Sequence, residues 1–401
     1  MMVKSLPVRS IVDAVARAAG AWSDPGFAPR ERARHAVSER MEYSLPVVDY
    51  ALDRLFRSLT SDALRQAIAA ELGSLDVLDR FVERAPGLFA RALPLGRVCI
   101  VSSRTTIGVA IVPAIFALCA KCEVLVKDRD DRLAGAFFTT LAEIAPGLAS
   151  AAARPWRGGD DERIDLAAYD CVVAFGRNTT LDEIAAALPA ATRFIGYPTK
   201  YSAGYVARDA LQNEEDVVTL ARDAARDALL YDGEGCLSLQ AIFVERGGRV
   251  TPEIFCELLV RAIEEVEARF PAVARVEGSA RRAMARDLAS FRGAVAQREN
   301  GDASTNALVL LDSGEAPSFA PRVIDVRSVD ALAEAVDYLR RNRVGIESLA
   351  VAGATAAFEL AVETGAARIA PFGSLQAPRL ASLHGGRPRI AEFVRWLVDE
   401  S

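Results

Sequence analysis

Histidine is nearly missing from this sequence. There are two, His35 and His384, and six cysteines scattered at 99, 119, 122, 171, 236 and 256. So few donors leave a metal centre without a ligand set. Cys119-x-x-Cys122 has no companion Cys or His and lies in an apolar stretch that reads as a buried helix. The cysteines do not form a disulfide framework, which makes a reducing cytoplasm the expected compartment. No apolar run reaches the roughly 18 residues of a membrane span, and Met1-Met2-Val3-Lys4 leads into polar residues rather than a secretory leader. An excess of one charge is also lacking. The 48 basic and 54 acidic residues leave a net charge of −6, which argues against nucleic acid as a partner. Lysine is scarce and arginine dominates the basic side, a bias to which no function is attached.

The 401 residues are 51% apolar and 25% charged, an ordinary globular composition that exceeds one simple core. Up to about residue 95 apolar residues recur at helical spacing, over Arg9–Ala21, Leu45–Leu59 and Leu75–Leu93. From Arg97 strands and helices alternate. Val98–Val101, Val124–Lys127, Cys171–Phe175 and Arg193–Gly196 read as strands, with helices at Ala134–Ile144 and Leu181–Leu188. Such β–loop–α units predict an α/β fold with a doubly wound parallel sheet, whose ligands bind beyond the carboxyl ends of the strands. The loops found there carry Ser102, Ser103, Thr105 and Thr106, then Lys127 and Arg129, then Gly176 and Asn178. Together they point to a nucleotide site. The alternation resumes at 241–245 and continues through a helix at Pro252–Ala268, strands at Ala307–Leu311 and Val323–Val326, a helix at Val329–Arg340 and a strand at Leu349–Ala352. A charged helix is expected at Arg281–Arg298.

The chemistry centres on Asp232-Gly233-Glu234-Gly235-Cys236-Leu237-Ser238, between an amphipathic helical pattern (Asn213–Tyr231) and an apolar strand. Glycines permit backbone angles closed to other residues, so this thiol and nearby backbone N–H groups can both reach a substrate. An acyl-forming nucleophile needs that arrangement, because its tetrahedral oxyanion requires donors beside the attacking sulfur. The local residues equally allow a small buried cysteine in a helix–strand connection.

In this order the parts resemble the aldehyde dehydrogenase superfamily. Gly233-Glu234-Gly235-Cys236 is similar to its Gly-Gln-x-Cys nucleophile loop, with Glu234 in place of the glutamine. Val124-Leu125-Val126-Lys127 resembles the strand whose lysine holds the adenosine ribose. Phe175-Gly176 with Arg177-Asn178-Thr179 resembles the turn over the pyrophosphate, and Arg343-Val344-Gly345-Ile346 a late Tyr-Gly-Leu stretch. A closer likeness, over residues 45–401, is to the bioluminescence-type (LuxC) acyl-CoA reductases. It rests on the helical N-terminus, Pro94-Leu95-Gly96, Cys236-Leu237-Ser238, Arg368-Ile369-Ala370 to Gly373, Leu383-His384-Gly385-Gly386 and Phe393-Val394-Arg395-Trp396.

The resemblance implies a helical N-terminal segment (1–95), a Rossmann-type NAD(P)-binding domain (96–231), a catalytic cysteine domain (232–375) and a C-terminal segment returning to the cofactor domain (376–401). It implies reduction of an acyl thioester, on CoA or an acyl-carrier protein, to an aldehyde through an acyl-enzyme on Cys236. Ser102, Ser103, Thr105, Lys127, Arg129, Gly176, Arg177, Asn178 and Phe319 are the expected cofactor residues. NADPH is the expected cofactor, because Lys127 and Arg129 share a face of an extended segment and would meet a 2′-phosphate together. Asp128 and Asp130 keep NADH as the alternative. An acyl-activating enzyme is an expected partner, and a homo-oligomer the expected state.

Three departures qualify the likeness. Arg193–Lys200 carries no acid where hydrolytic members place their water-activating glutamate, which fits an acyl group that leaves by reduction. The usual oxyanion asparagine has no counterpart in the 102–108 loop, leaving Ser103 or Thr105 to donate. Pro317-Ser318-Phe319-Ala320-Pro321 stands where a Glu-x-Phe-Gly-Pro pattern contacts the nicotinamide ribose. The missing asparagine and Glu234 also motivate a second reading, a catalytically silent subunit or scaffold.

Overall fold

A computed structural model describes residues 3–103, 105–128, 132–155, 166–292, 295–296, 307–314, 318–353 and 357–401. The chain divides into two compact units: Met1–Met41, Val48–Thr199 and Arg379–Ser401 in the first, Glu42–Val47 and Lys200–Pro378 in the second.

The N-terminal region forms helices α1 (Val8–Trp22), α2 (Ala28–Met41), α3 (Leu45–Ser58) and α4 (Ser61–Leu72). On α1 the buried Val8, Ile11, Val12, Val15, Ala18 and Trp22 recur at three- and four-residue steps and turn one face inward. Thr60 caps α4 by accepting the Ala63 N–H, and Gly73, at φ +79°, ends it. The helix expected over Leu75–Leu93 is absent. A single 3-10 turn (Leu75–Leu78) leads to a hairpin of β1 (Val82–Ala85) and β2 (Leu88–Pro94), with Gly87 at φ +74° in its turn. The free edge of β2 pairs antiparallel with the C-terminal strand, Val394–Asp399. A partner some 300 positions away decides the conformation here, and local periodicity cannot register it.

The alternating region follows as β3 (Arg97–Val101), α5 (Ile111–Cys119), β4 (Glu123–Asp128), α6 (Leu133–Ile144), β5 (Ala152–Pro155), β6 (Cys171–Gly176), α7 (Asn178–Ala187) and β7 (Arg193–Pro198). The strands pair in parallel in the order β5-β4-β3-β6-β7, the expected doubly wound sheet. Chain order reverses between β3 and β6, so the loops after those strands diverge and open a crevice. Cys119 and Cys122 are buried, and burial pushes their thiols up to about 12 and about 11.

The second unit contains β8 (Tyr201–Val206), α8 (Glu214–Leu229), β9 (Leu239–Glu245), α9 (Pro252–Arg269), α10 (Val276–Phe291), β10 (Val295–Ala296), β11 (Leu308–Leu311), β12 (Val323–Val329), α11 (Leu332–Arg341), β13 (Ile346–Ala352), α12 (Ala357–Thr364) and β14 (Arg368–Ala370); β15 is the C-terminal Val394–Asp399. Its described strands form one sheet in the order β10-β11-β12-β9-β8-β13-β14, parallel except for the β10–β11 pair. Val217, Ala221, Ala225 and Leu229 of α8 pack with Phe255, Leu259 and Ile263 of α9 in one core. Val336 and Leu339 of α11 join Phe243 in another. The helix expected at Arg281–Arg298 begins earlier and stops at Phe291. Val295 and Ala296 are strand instead, because they pair with Leu311 and Leu310.

Candidate active site

The stretch that carries Cys236 follows α8 without a smooth exit. Tyr231 (φ 57°), Asp232 (φ 54°) and Gly233 (φ 71°) are successively left-handed. For the two with side chains this conformation costs about 1–2 kcal/mol each, so the surroundings must hold it. They do so through buried charge. Asp232 bonds Nη1 of Arg322 at 3.0 Å and pairs with Nη2 of Arg275 at 3.3 Å. Arg322 also reaches Glu267 at 2.6 Å, and its backbone N–H donates to the Asp232 carbonyl. Arg275 donates to Glu234 at 2.8 Å and lies over the Tyr43 ring. Glu234, in the glutamine position, is therefore held in this cluster. Burial raises its carboxyl above the usual range and Arg275 opposes that rise.

Beyond Gly233, the Ser238 N–H donates to the Gly235 carbonyl and closes a four-residue turn with Cys236 at its second position. The buried Ser202 hydroxyl donates to the Cys236 carbonyl at 2.8 Å, and Gln240 Nε2 donates to the Gly233 carbonyl at 2.6 Å. Gln376 in turn donates to the Ser238 hydroxyl at 3.1 Å. The turn is thus pinned from β8, from β9 and from the segment after β14.

Cys99, Cys119, Cys122, Cys171 and Cys256 are buried, whereas Cys236 is partly open. Its thiol is pushed up to about 12, first by burial and then by the Glu347 carboxylate. Its own backbone N–H, Lys200 and Arg368 pull the other way. At neutral pH the sulfur therefore rests protonated, and attack on a carbonyl requires the proton to leave as the bond forms. Phe319, in the left-handed region at φ 45°, stacks on Tyr201 with centroids 3.8 Å apart, one residue before the serine that holds Cys236.

The remaining expected residues lie in the first unit, at the carboxyl ends of its strands. Ser102, after β3, is buried and donates its hydroxyl to the Ser103 carbonyl. Its backbone N–H donates to the Lys127 carbonyl at 3.2 Å, joining the ends of β3 and β4. Lys127 is 7% exposed, Ser103 half-buried and Thr105 exposed. Gly176 ends β6, Arg177 follows, and Asn178 opens α7, whose first N–H groups have no intrahelical partner. Phe175, Tyr197 and His384 stack beside them, with Tyr197 and His384 centroids 4.3 Å apart. Arg129 lies outside the described residues.

Sequence reasoning passed over Lys200, Tyr201, Ser202, Glu347 and the Arg275–Asp232–Arg322 cluster. A signal for Glu347 was present, since it is an acid inside the otherwise apolar Ile346–Ala352 strand.

Two parallel α/β units, one open at a switch point and one presenting a cysteine turn, define an aldehyde dehydrogenase-type fold, and the structural comparisons agree. The NAD-dependent benzaldehyde dehydrogenase of Corynebacterium glutamicum matches with a TM-score of 0.75 at 17% identity, over 100% of this chain and 86% of that one. Aldehyde dehydrogenase 21 of Physcomitrella patens, in complex with succinate, matches at 0.76 and 12% over 99% and 86%. The glyceraldehyde-3-phosphate dehydrogenase GapN of Methanocaldococcus jannaschii, complexed with NADP, matches at 0.73 and 12% over 100% and 91%. At these identities the likeness is one of fold. The sequence itself matches the acyl-CoA reductase (LuxC) family over residues 3–396, and the chain belongs to that family. No curated protein matches it.

Proposed function

We propose that this protein reduces an acyl-CoA, or the same acyl group on a carrier protein, to the aldehyde with NADPH. Support comes from the family match together with one observation: the partly open cysteine sits on a turn, just beyond a left-handed run, that is pinned from three sides. The Cys236 sulfur attacks the thioester carbonyl and expels the thiol. Its backbone N–H, beside the sulfur, stabilises the oxyanion. NADPH, held by the residues assigned below, would supply the hydride; collapse of the Cys236 hemithioacetal would then release the aldehyde and free Cys236. Arg193–Lys200 brings no acid to activate water, which favours reduction over hydrolysis of the acyl-enzyme.

The first unit has groups suited to the cofactor. We assign Lys127 and Arg129 to the adenosine ribose and its 2′-phosphate, and Ser102, Ser103, Thr105, Gly176, Arg177 and Asn178 to the diphosphate side. Phe319, one face covered by Tyr201, is assigned to the nicotinamide. A buried lysine at the β4 end and the open N-terminus of α7 fit an anionic dinucleotide. We place the cofactor residues other than Phe319 in the 96–231 domain, and the nucleophile with Phe319 in the 232–375 domain, flanked by 1–95 and the returning 376–401. We assign the protein to the cytoplasm as a homo-oligomer, supplied by an acyl-activating enzyme. No helix among the described residues is long and apolar enough to cross a membrane.

The test is the protein mass after incubation with acyl-CoA, followed by aldehyde release on adding NADPH or NADH. Cys236→Ala is expected to abolish both signals. Full reductase activity in that variant sinks the mechanism, and NADPH binding without turnover of any acyl-thioester would point to the silent subunit.

A further inference from the structure

The segment before the nucleophile offers no base, yet a carboxylate, Glu347, lies on β13, across β8 from the strand that follows Cys236. In the β13–β8 pairing Ile346 faces Tyr201 and Ser348 faces Ser202, so Glu347 is the extra residue of a β-bulge. Bulges re-aim a side chain and concentrate beside active sites. The Glu347 side chain is 10% exposed and lies 3.5 Å from the Lys200 ammonium. Its neighbour in the register, Ser202, holds the Cys236 carbonyl. Arg368, on β14, donates to the Ser348 hydroxyl at 3.1 Å. An acid buried in an apolar strand needs compensation, and the Lys200 ammonium supplies part of it here.

We propose that Glu347, paired with Lys200, is the general base that takes the Cys236 proton. This rests on the acyl-reductase reading above. As the sulfur bonds to the acyl carbon, the S–H bond breaks and its proton passes to Glu347. The bond from the acyl carbon to the leaving sulfur then breaks, and the departing thiolate takes that proton, so Glu347 returns to the carboxylate with no change of oxidation state. After hydride transfer, collapse of the hemithioacetal leaves a Cys236 thiolate, which is reprotonated from solvent through the same carboxyl. Lys200 stays paired with Glu347 between turnovers. The charged and titratable groups around this relay are Lys200 at the start of β8, Arg368 on β14, Cys236 in its turn and Asp227 on α8.

The sign of one substitution separates this role from simple electrostatics. Glu347 holds the thiol up, so if it only did that, Glu347→Gln would free the thiolate and speed acylation. As the base, its loss slows acylation by about 10²–10⁴-fold at neutral pH, while alkylation of Cys236 by iodoacetamide becomes no slower. Glu347→Asp is expected to recover part of the acylation rate. The wild-type protein provides a second test that no folding defect can obscure: its acylation rate should level off at a lower pH than its alkylation rate. Acylation of Glu347→Gln at the wild-type rate or faster, or coincident wild-type profiles, would overturn the assignment. A wild-type protein that never forms an acyl-enzyme would instead overturn the reductase reading.

Discussion

Arg322 holds together the charges that keep the Tyr231–Gly233 run before Cys236 left-handed, so Arg322→Met is the sharpest test of how that run is maintained. The side chain is 2% exposed and spans Asp232 and Glu267, themselves 9% and 14% exposed. Removing one member of a buried ionic group typically costs about 3–5 kcal/mol, because the surviving charge stays buried without compensation. Here both survivors keep a partner. Asp232 retains Arg275 at 3.3 Å, and Glu267 still accepts the Ala307 N–H at 2.9 Å. The lower end, about 3 kcal/mol, is therefore expected in urea unfolding followed by circular dichroism, a large part of a typical total stability of about 5–15 kcal/mol. Acyl labelling of Cys236 should fall with it, since Tyr231 and Asp232 lose the pin that offsets their strain. Adding Asp232→Asn should restore part of the loss, because it removes a buried charge that Arg322 no longer neutralises and asparagine tolerates the left-handed region. A loss below about 1 kcal/mol with undiminished labelling would show that the cluster does not hold the turn.

Three other outcomes are expected. Iodoacetamide should find about 10³-fold less thiolate at Cys236 than in a free cysteine at pH 8, because the thiol is pushed up to about 12 from an ordinary 9.0; half-maximal alkylation below pH 9 would refute this. Gly233→Ala should destabilise by at least about 1–2 kcal/mol, since φ is +71° and a Cβ would lie 3.2 Å from the Ala228 carbonyl oxygen; an unchanged melting temperature would contradict it. Asp227, buried and accepting the Gly373 and Leu375 N–H groups, has its carboxyl raised from 3.8 to about 6, chiefly by burial. The folded protein thus holds that proton more tightly than the unfolded chain. Its contribution to stability is complete below about pH 4 and is lost as pH rises through about 6. Wild type should lose up to about 3 kcal/mol more than Asp227→Asn over that interval, measured by urea unfolding at each pH, and parallel curves would exclude the effect.

The sequence by itself determined the alternating strand–helix order, the parallel sheet after Arg97, and the candidate nucleophile between two glycine-bearing steps. These follow from local periods and from residues whose backbone freedom is a property of the residue itself. Tertiary structure decided the rest, because it depends on partners far along the chain. Leu88–Pro94 is a strand because Val394–Asp399 pairs with it, although its own spacing reads as helical. Glu234 departs from the family's nucleophile loop, and its partner Arg275 lies 41 positions on, beyond the reach of local sequence. The charge environment of Cys236 was least legible of all. Segment 193–200 correctly shows no acid, but spacing along one strand cannot reveal that a bulge on β13 brings Glu347 to the far side of Ser202. Strand order in the sheet, and not position in the chain, sets which charges a thiol experiences.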